Sequence, residues 1–228
     1  MSGNGDLNDA PRSITVEEYR NRLQQIQGQM ESERLDALLI TSEDNYQYLT
    51  GFSSPTWQNL TRPRYCIVPL VGDPILIVPT SQTVIAERTS WVMDVRSWVS
   101  PCPRDDGVSL VSDGLKNCLH QFSRVGAELG PESRLTMPVD DFLRIRQTLE
   151  PAEIVDCDAM LRKIRMVKSV AEIGHIRHIA QLVSGAFENL PAKLQAGQTE
   201  IDACRLFQAD LVRRGAEKIV YLVGTSGF

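Results

Sequence analysis

The chain has 228 residues, 42% hydrophobic and 23% charged, which suits a globular protein of one large domain or two modest ones. Its formal net charge of −5 argues against nucleic acid as a partner, because that function leaves a basic footprint. No run of eighteen apolar residues suggests a membrane span, and the polar opening MSGNGDLNDAPRS is unlike a signal peptide, so residues 1–13 read as a disordered lead-in and the default location is cytoplasmic.

A first helix is predicted from Val16 to Glu33: Thr15 and Glu18 have capping-box spacing, and Tyr19, Leu23, Ile26 and Met30 recur at helical intervals. Asp36 to Thr41 reads as a buried strand, Ser42 to Tyr48 as one or two capped turns, and Thr50-Gly51-Phe52 as a break. Tyr65–Leu70 and Ile75–Val78 are β-rich runs joined by Val71-Gly-Asp-Pro74, a hairpin signal. Ser81–Ser90 follows as a helix, Val92–Val99 as a strand, and 101–107 as a loop. Val108, Val111, Leu115, Leu119 and Phe122 define another amphipathic helix. Val125–Leu129 is a strand, Pro138 opens a helix through Leu149, and Ile154-Val155 is a further short strand. Alternating helices and strands with one hairpin indicate an α/β architecture with a mixed sheet flanked by helices.

After Asp158 the texture changes. Ser169 and Glu172 form a capping box for a long helix whose apolar face carries Ile173, Ile176, Ala180, Val183, Phe187 and Leu190. Thr199 and Asp202 open a second helix that ends at Arg213-Arg214-Gly215, and the apolar stretch Ile219–Val223 reads as a strand with nothing after it to pair with. The expected division is 1–13, 14–158 and 159–228, the last being a domain begun and not finished.

Little in the chain suggests self-sufficient catalysis. Five scattered cysteines (Cys66, Cys102, Cys118, Cys157 and Cys204) fit neither a disulfide framework nor a zinc ribbon. His175-x-x-His178 shares a helix face but lacks the glutamate and third ligand of a zinc helix. Gly224-Thr-Ser-Gly-Phe228 resembles a nucleophile elbow but lacks its final glycine and the following helix. The acidic pairs Glu43-Asp44, Asp105-Asp106 and Asp140-Asp141 fall in loops or at helix starts, where they complement the dipole. The loop from Ser53 to Tyr65 stands apart, because it carries Trp57, Arg62 and Arg64 immediately before a strand. Aromatic and guanidinium groups on a long loop suit a carboxylate-bearing ligand, whereas solvated arginines with a packed Trp57 are the plainer alternative.

The run Leu35-Asp-Ala-Leu-Leu-Ile-Thr-Ser-Glu-Asp-Asn45-Tyr-Gln-Tyr-Leu-Thr-Gly51-Phe52 resembles the N-terminal signature of the creatinase, prolidase and aminopeptidase P metallohydrolases. Leu161-Arg-Lys-Ile-Arg-Met-Val-Lys168-Ser-Val-Ala-Glu172 resembles the segment where those proteins enter their pita-bread catalytic domain. Gly197-Gln-Thr199-Glu200 and Arg214-Gly215-Ala-Glu are similar to that domain's opening helices. The resemblance implies a creatinase-type N-terminal domain followed by an incomplete α+β pita-bread domain.

It further implies a parent enzyme with two divalent metals (manganese, cobalt or zinc) whose Asp, His and Glu ligands lie beyond this chain. The chain itself is therefore expected to hold no metal and to be inactive. The parent reads first as an Xaa-Pro aminopeptidase or dipeptidase acting as a homodimer on a peptide or small carboxylate substrate; relatives that act on creatine-like solutes or as lyases remain alternatives. In creatinase-like members, an arginine from this loop meets the substrate carboxylate of a neighbouring subunit. Either Arg62 or Arg64 stands at that place, because the sequence has one residue more before Tyr65 than the family pattern. A different alternative is a non-catalytic peptide-binding module, as in a histone-chaperone subunit of the same fold.

Overall fold

The computed structural model describes residues 13–57, 59 and 61–225, so residues 1–12 of the expected lead-in, Gln58 and Leu60 of the loop, and Ser226–Phe228 of the elbow-like motif lie outside the described residues. The chain divides into two compact units, Ile14–Val167 and the residues from Lys168.

The first unit runs α1 (Val16–Glu33), β1 (Ala37–Ile40), α2 (Glu43–Thr50), β2 (Tyr65–Pro69), β3 (Ile75–Pro79), a 3-10 turn (Thr80–Gln82), α3 (Thr83–Thr89) and β4 (Asp94–Trp98). It continues with α4 (Val108–Cys118), β5 (Arg124–Ala127), α5 (Val139–Leu149), β6 (Glu153–Asp156) and α6 (Asp158–Met166). The six strands form one mixed sheet of order β4-β3-β2-β1-β5-β6. Only β2 runs against the others: it is antiparallel to both β1 and β3, while β3–β4, β1–β5 and β5–β6 are parallel.

Residues alternate across this sheet, as the pleat requires. Leu38, Ile40, Cys66, Val68, Leu76 and Val78 pack against Leu23, Ile26 and Met30 of α1, Tyr46 and Leu49 of α2, Ala86 of α3, and Met160 and Leu161 of α6. Ala37, Leu39, Ile67, Ile77, Val125 and Ala127 meet Val111 and Leu115 of α4 and Ile145 and Leu149 of α5. Slipping any central strand by one residue would exchange two cores, so the register is strongly specified. Gly126 of β5 lies opposite Leu38, where a Cβ would come within 2.6 Å of Leu38 Cδ2 and 2.9 Å of Cys157 Cβ. The missing side chain lets α6 close over the sheet.

The helix expected to reach Phe122 stops at Cys118. Its continuation is captured by Asp36, whose carboxylate accepts hydrogen bonds from the backbone N–H groups of Gln121 (3.0 Å), Phe122 (3.0 Å) and Ser123 (2.7 Å). Three convergent amides satisfy this buried acid, and they cannot also continue a helix. The same residue ties its backbone to both neighbouring strands: Asp36 N–H donates to Arg124 O, and Leu70 N–H donates to Asp36 O.

In the second unit, α7 (Val170–Lys193) and α8 (Glu200–Arg213) each begin with a full capping box, at Ser169/Glu172 and Thr199/Asp202. The helices meet through Val183, Ala186, Leu190, Phe207 and Leu211. Buried Asp210 accepts from Lys193 Nζ at 2.5 Å and Arg214 Nε at 3.0 Å. The strand expected over Ile219–Val223 does not form: Ile219 and Leu222 turn toward the helices, Val220 and Tyr221 are exposed, and no ladder partner exists among the described residues. A strand is defined by its neighbour's hydrogen bonds, so an apolar run alone does not make one. Among the described residues, no helix is long and apolar enough to cross a membrane.

Burial acts to raise the Asp36 pKa, but the backbone donors of Gln121, Phe122, Ser123 and His120 outweigh it and hold the carboxyl below its ordinary range. A depressed folded-state pKa gives stability that is present above the unfolded value, about 4, and is lost as pH falls through the folded value. Asp36→Asn is expected to cost about 2–3 kcal/mol at pH 7, since an amide offers one acceptor and turns N–H groups toward N–H groups. Urea titrations at pH 7 and at about pH 3 should show that deficit shrinking in acid; a deficit independent of pH would refute this account.

Candidate functional site

Open α/β sheets bind ligands beyond the carboxyl ends of their parallel strands, often against a helix N-terminus. Here that edge lies past Ile40 of β1, Pro79 of β3 and Ala127 of β5, and antiparallel β2 enters from it. Part of the edge is filled by the protein's own Glu128, which is 1% exposed. Its carboxylate accepts from Thr41 N–H (2.7 Å), Ser42 N–H (2.9 Å), Asn45 Nδ2 (2.6 Å) and the hydroxyls of Thr41 and Ser42. These donors surround the N-terminus of α2, so Glu128 stands where an anionic ligand would otherwise sit. Asn45 Oδ1 in turn accepts from Arg165 Nη1 of α6 at 2.8 Å.

Beside this plug lies the loop from Ser53 to Arg64, and its three singled-out residues have different fates. Trp57 turns inward, edge-on to Tyr46 at 5.0 Å between ring centroids and 5.7 Å from Phe52. Arg64 is also buried, at 3% exposure. Its Nε donates to Gln82 Oε1 (2.5 Å), Nη1 to Arg62 O (3.2 Å), and Nη2 to Thr56 O and Thr56 Oγ1 (both 3.0 Å). The guanidinium also lies 4.9 Å from the Trp57 ring centroid. Burial lowers its pKa, but the group stays cationic at neutral pH. Arg62 is half-exposed, and its Nη1 donates to Thr61 O at 2.5 Å.

The structure brings together Thr56, Trp57, Arg64 and Gln82. Gln82 was invisible to sequence reasoning because it lies 18 residues from Arg64 and sits in an ordinary polar turn. Glu128 was hidden similarly, as one acid ending an apolar run; a charge at the mouth of a buried strand was the available signal.

The remaining candidates do not converge on one site among the described residues. Asp105 accepts from Ser109 N–H at 2.9 Å and Asp106 from Cys102 N–H at 3.2 Å, while Glu43-Asp44 and Asp140-Asp141 occupy first helical turns. His175 and His178 lie on α7, and all five cysteines are free thiols. Among the described residues, no group of three or more His, Cys, Asp or Glu side chains is arranged to hold a metal ion. The second unit carries an apolar groove of about 510 Å³ between α7, α8 and 216–223, lined by Ile179, Phe187, Phe207, Leu211 and Ile219.

A three-layer α/β unit with one reversed strand and a loop-bearing carboxyl edge is the architecture of the creatinase and prolidase N-terminal domain. The model of that family, the Creatinase/Prolidase N-terminal domain, matches residues 22–167, more than half of the chain. The chain belongs to this family. Among curated proteins, the probable dipeptidase PepE of Mycobacterium tuberculosis is 25% identical over 219 residues, covering 95% of this chain and 54% of that protein. Dipeptidase PepE from Mycobacterium ulcerans superposes with a TM-score of 0.70 at 23% identity, covering 92% of this chain and 53% of that one. The prolidase of Thermococcus sibiricus gives 0.73 at 19% identity, with 90% and 51% covered. These structural likenesses show the fold. The chain spans about half the length of the curated relatives it matches.

Tyr46 supplies a contrast with Glu128, since its hydroxyl is fully buried without a hydrogen-bond partner among the described residues. Tyr46→Phe is expected to leave stability within about 0.5 kcal/mol of wild type or to raise it, whereas Glu128→Gln should cost about 2 kcal/mol or more by setting a donor among donors. Equilibrium denaturation of both variants decides; equal effects would contradict the assignment of Glu128 as the anchor.

Proposed function

We propose that this chain is the N-terminal portion of a dinuclear metallohydrolase of the Xaa-Pro dipeptidase or aminopeptidase type. In this reading, residues 14–167 support homodimer formation and substrate access, and the unit from Lys168 opens a pita-bread catalytic domain. The observation that carries the reading is the uncovered apolar surface of that second unit. Ile176 and Ile179 of α7 are 54% and 51% exposed, Val220 and Tyr221 are 82% and 83% exposed, and the 510 Å³ groove lies among the same elements. Contiguous exposed apolar surface on this scale marks an interface awaiting more protein. The half-length match to PepE-type dipeptidases supports assigning that protein to the remainder of the same polypeptide.

The donors described here do not fit a pair of manganese, cobalt or zinc ions. Metal chemistry is therefore assigned to the parent's remaining half, and no step is derived through it. What the present residues offer is recognition. Arg62, half-exposed at the carboxyl edge of the sheet, suits a substrate carboxylate, which a guanidinium can grip through two parallel N–H bonds. Arg64 and Trp57 are buried beneath the loop and support it rather than meet the ligand. A cytoplasmic location accompanies the reading as part of the proposal.

The purified 228-residue chain should show no manganese-stimulated hydrolysis of Xaa-Pro dipeptides, while the complete protein should. In the complete protein, Arg62→Ala is expected to raise KM about 10-fold with kcat little changed, the loss of one charge-assisted contact. Turnover by the 228-residue chain, or a complete protein lacking carboxylate and histidine metal ligands, would overturn the proposal; the latter would favour a peptide-binding module.

A further inference from the structure

We propose that Arg64 and Gln82 are positioning residues, a buried clamp that fixes the loop and aims Arg62 toward the substrate carboxylate. The proposal rests on the reading of this loop as substrate-facing, and its argument lies in how the clamp is built. Arg64 stands at the root of β2, and Gln82 ends the 3-10 turn directly after β3, the strand paired with β2. Both therefore issue from the rigid sheet. From that base the guanidinium reaches two places on the loop: Thr56, through its carbonyl and hydroxyl, and the carbonyl of Arg62 itself. Gln82 closes the circuit, since its Oε1 accepts from Arg64 Nε and its Nε2 donates to Thr56 Oγ1 at 2.7 Å.

A buried cation is a costly way to obtain stability alone, since an apolar side chain of similar size often serves as well or better. What a planar guanidinium adds is direction. Its N–H groups leave in a fixed fork, so acceptors on three residues in different parts of the chain are held at set angles. Here two of those three are the near and far portions of the loop, and the third is the sheet-anchored Gln82. The Trp57 ring lies against the guanidinium and is itself wedged against Tyr46 and Phe52. Further out in the loop, Thr61 donates its N–H and hydroxyl to Asn59 Oδ1, a short-range tie. Without the clamp, the Arg62 peptide loses its tie to the core, and the side chain must be ordered at the moment of binding. That ordering weakens substrate binding while leaving the chemical step alone.

The test uses the complete protein and steady-state kinetics with an Xaa-Pro dipeptide. Gln82→Leu removes the acceptor for Arg64 at similar volume and is expected to raise KM roughly 3- to 10-fold with kcat within about twofold. Gln82→Glu restores an acceptor and should keep KM near wild type. In an Arg62→Ala background, Gln82→Leu should add no further increase, because the clamp acts through Arg62. Hydrogen exchange on the 228-residue chain should show faster exchange at Asn59 and Arg62 in Gln82→Leu. If Gln82→Leu lowers the unfolding midpoint so far that kinetics are compromised, Arg64→Lys carries the same expectations. An unchanged KM in Arg62→Ala overturns the substrate-facing reading and this proposal with it. A raised KM in Arg62→Ala, with Gln82→Leu either silent or equally harmful in both backgrounds, overturns the positioning proposal alone.

Discussion

The parallel pairing of β1 with β5 is held at both ends by a buried carboxylate, and the rest of the first unit is arranged around that pair. At the amino end, Asp36 gathers the amides of Gln121, Phe122 and Ser123; at the carboxyl end, Glu128 gathers Thr41, Ser42 and Asn45. Each acid flanks one strand of the pair, Asp36 just before β1 and Glu128 just after β5, and bonds to chain flanking the other. Register is therefore fixed by hydrogen bonds as well as by apolar alternation, and a slip would strand a charge away from water. That penalty exceeds the cost of a misplaced methyl group.

The same arrangement shapes what the carboxyl edge can do. A helix N-terminus beside a strand switch is a ready anion site, and here a side chain already occupies it. In the function proposed above, recognition falls instead to the loop ahead of β2, where Arg64 is spent on internal bonds and Arg62 is left near solvent. Two arginines two residues apart have opposite environments because the second directly precedes a buried strand and is held by Gln82 beside it, while the first lies further out in the loop.

Periodicity and capping spacing made most of the elements legible in the sequence: α1 from its Thr15 cap, the β2–β3 hairpin from Val71–Pro74, and α7 and α8 from Ser169/Glu172 and Thr199/Asp202. Those signals are local, so a short window contains them. The early end of α4, the plug at Glu128 and the clamp at Gln82 each depend on partners 18 to 87 residues away. No window of neighbouring residues records them. The loop was recognisable as unusual from Trp57, Arg62 and Arg64, but which arginine faces outward depended on the sheet beneath it. The segment 219–223 had the apolar run of a strand but, among the described residues, no edge to pair with.

Asp36 also has a consequence for the order of synthesis. Its acceptor role is filled only by amides 85 to 87 residues further along the chain. At a ribosomal rate of roughly 5–20 residues per second, β5 emerges on the order of ten seconds after β1. During that interval Ala37–Ile40 can pair with β2 on one side while its other edge stays open, and all four of its residues are apolar. An apolar strand with an open edge invites pairing with another chain. The charge on Asp36, solvated until its amides arrive, sits at the end of that strand as a gatekeeper against such pairing. One carboxylate thus guards the nascent edge first and seals the finished sheet afterwards.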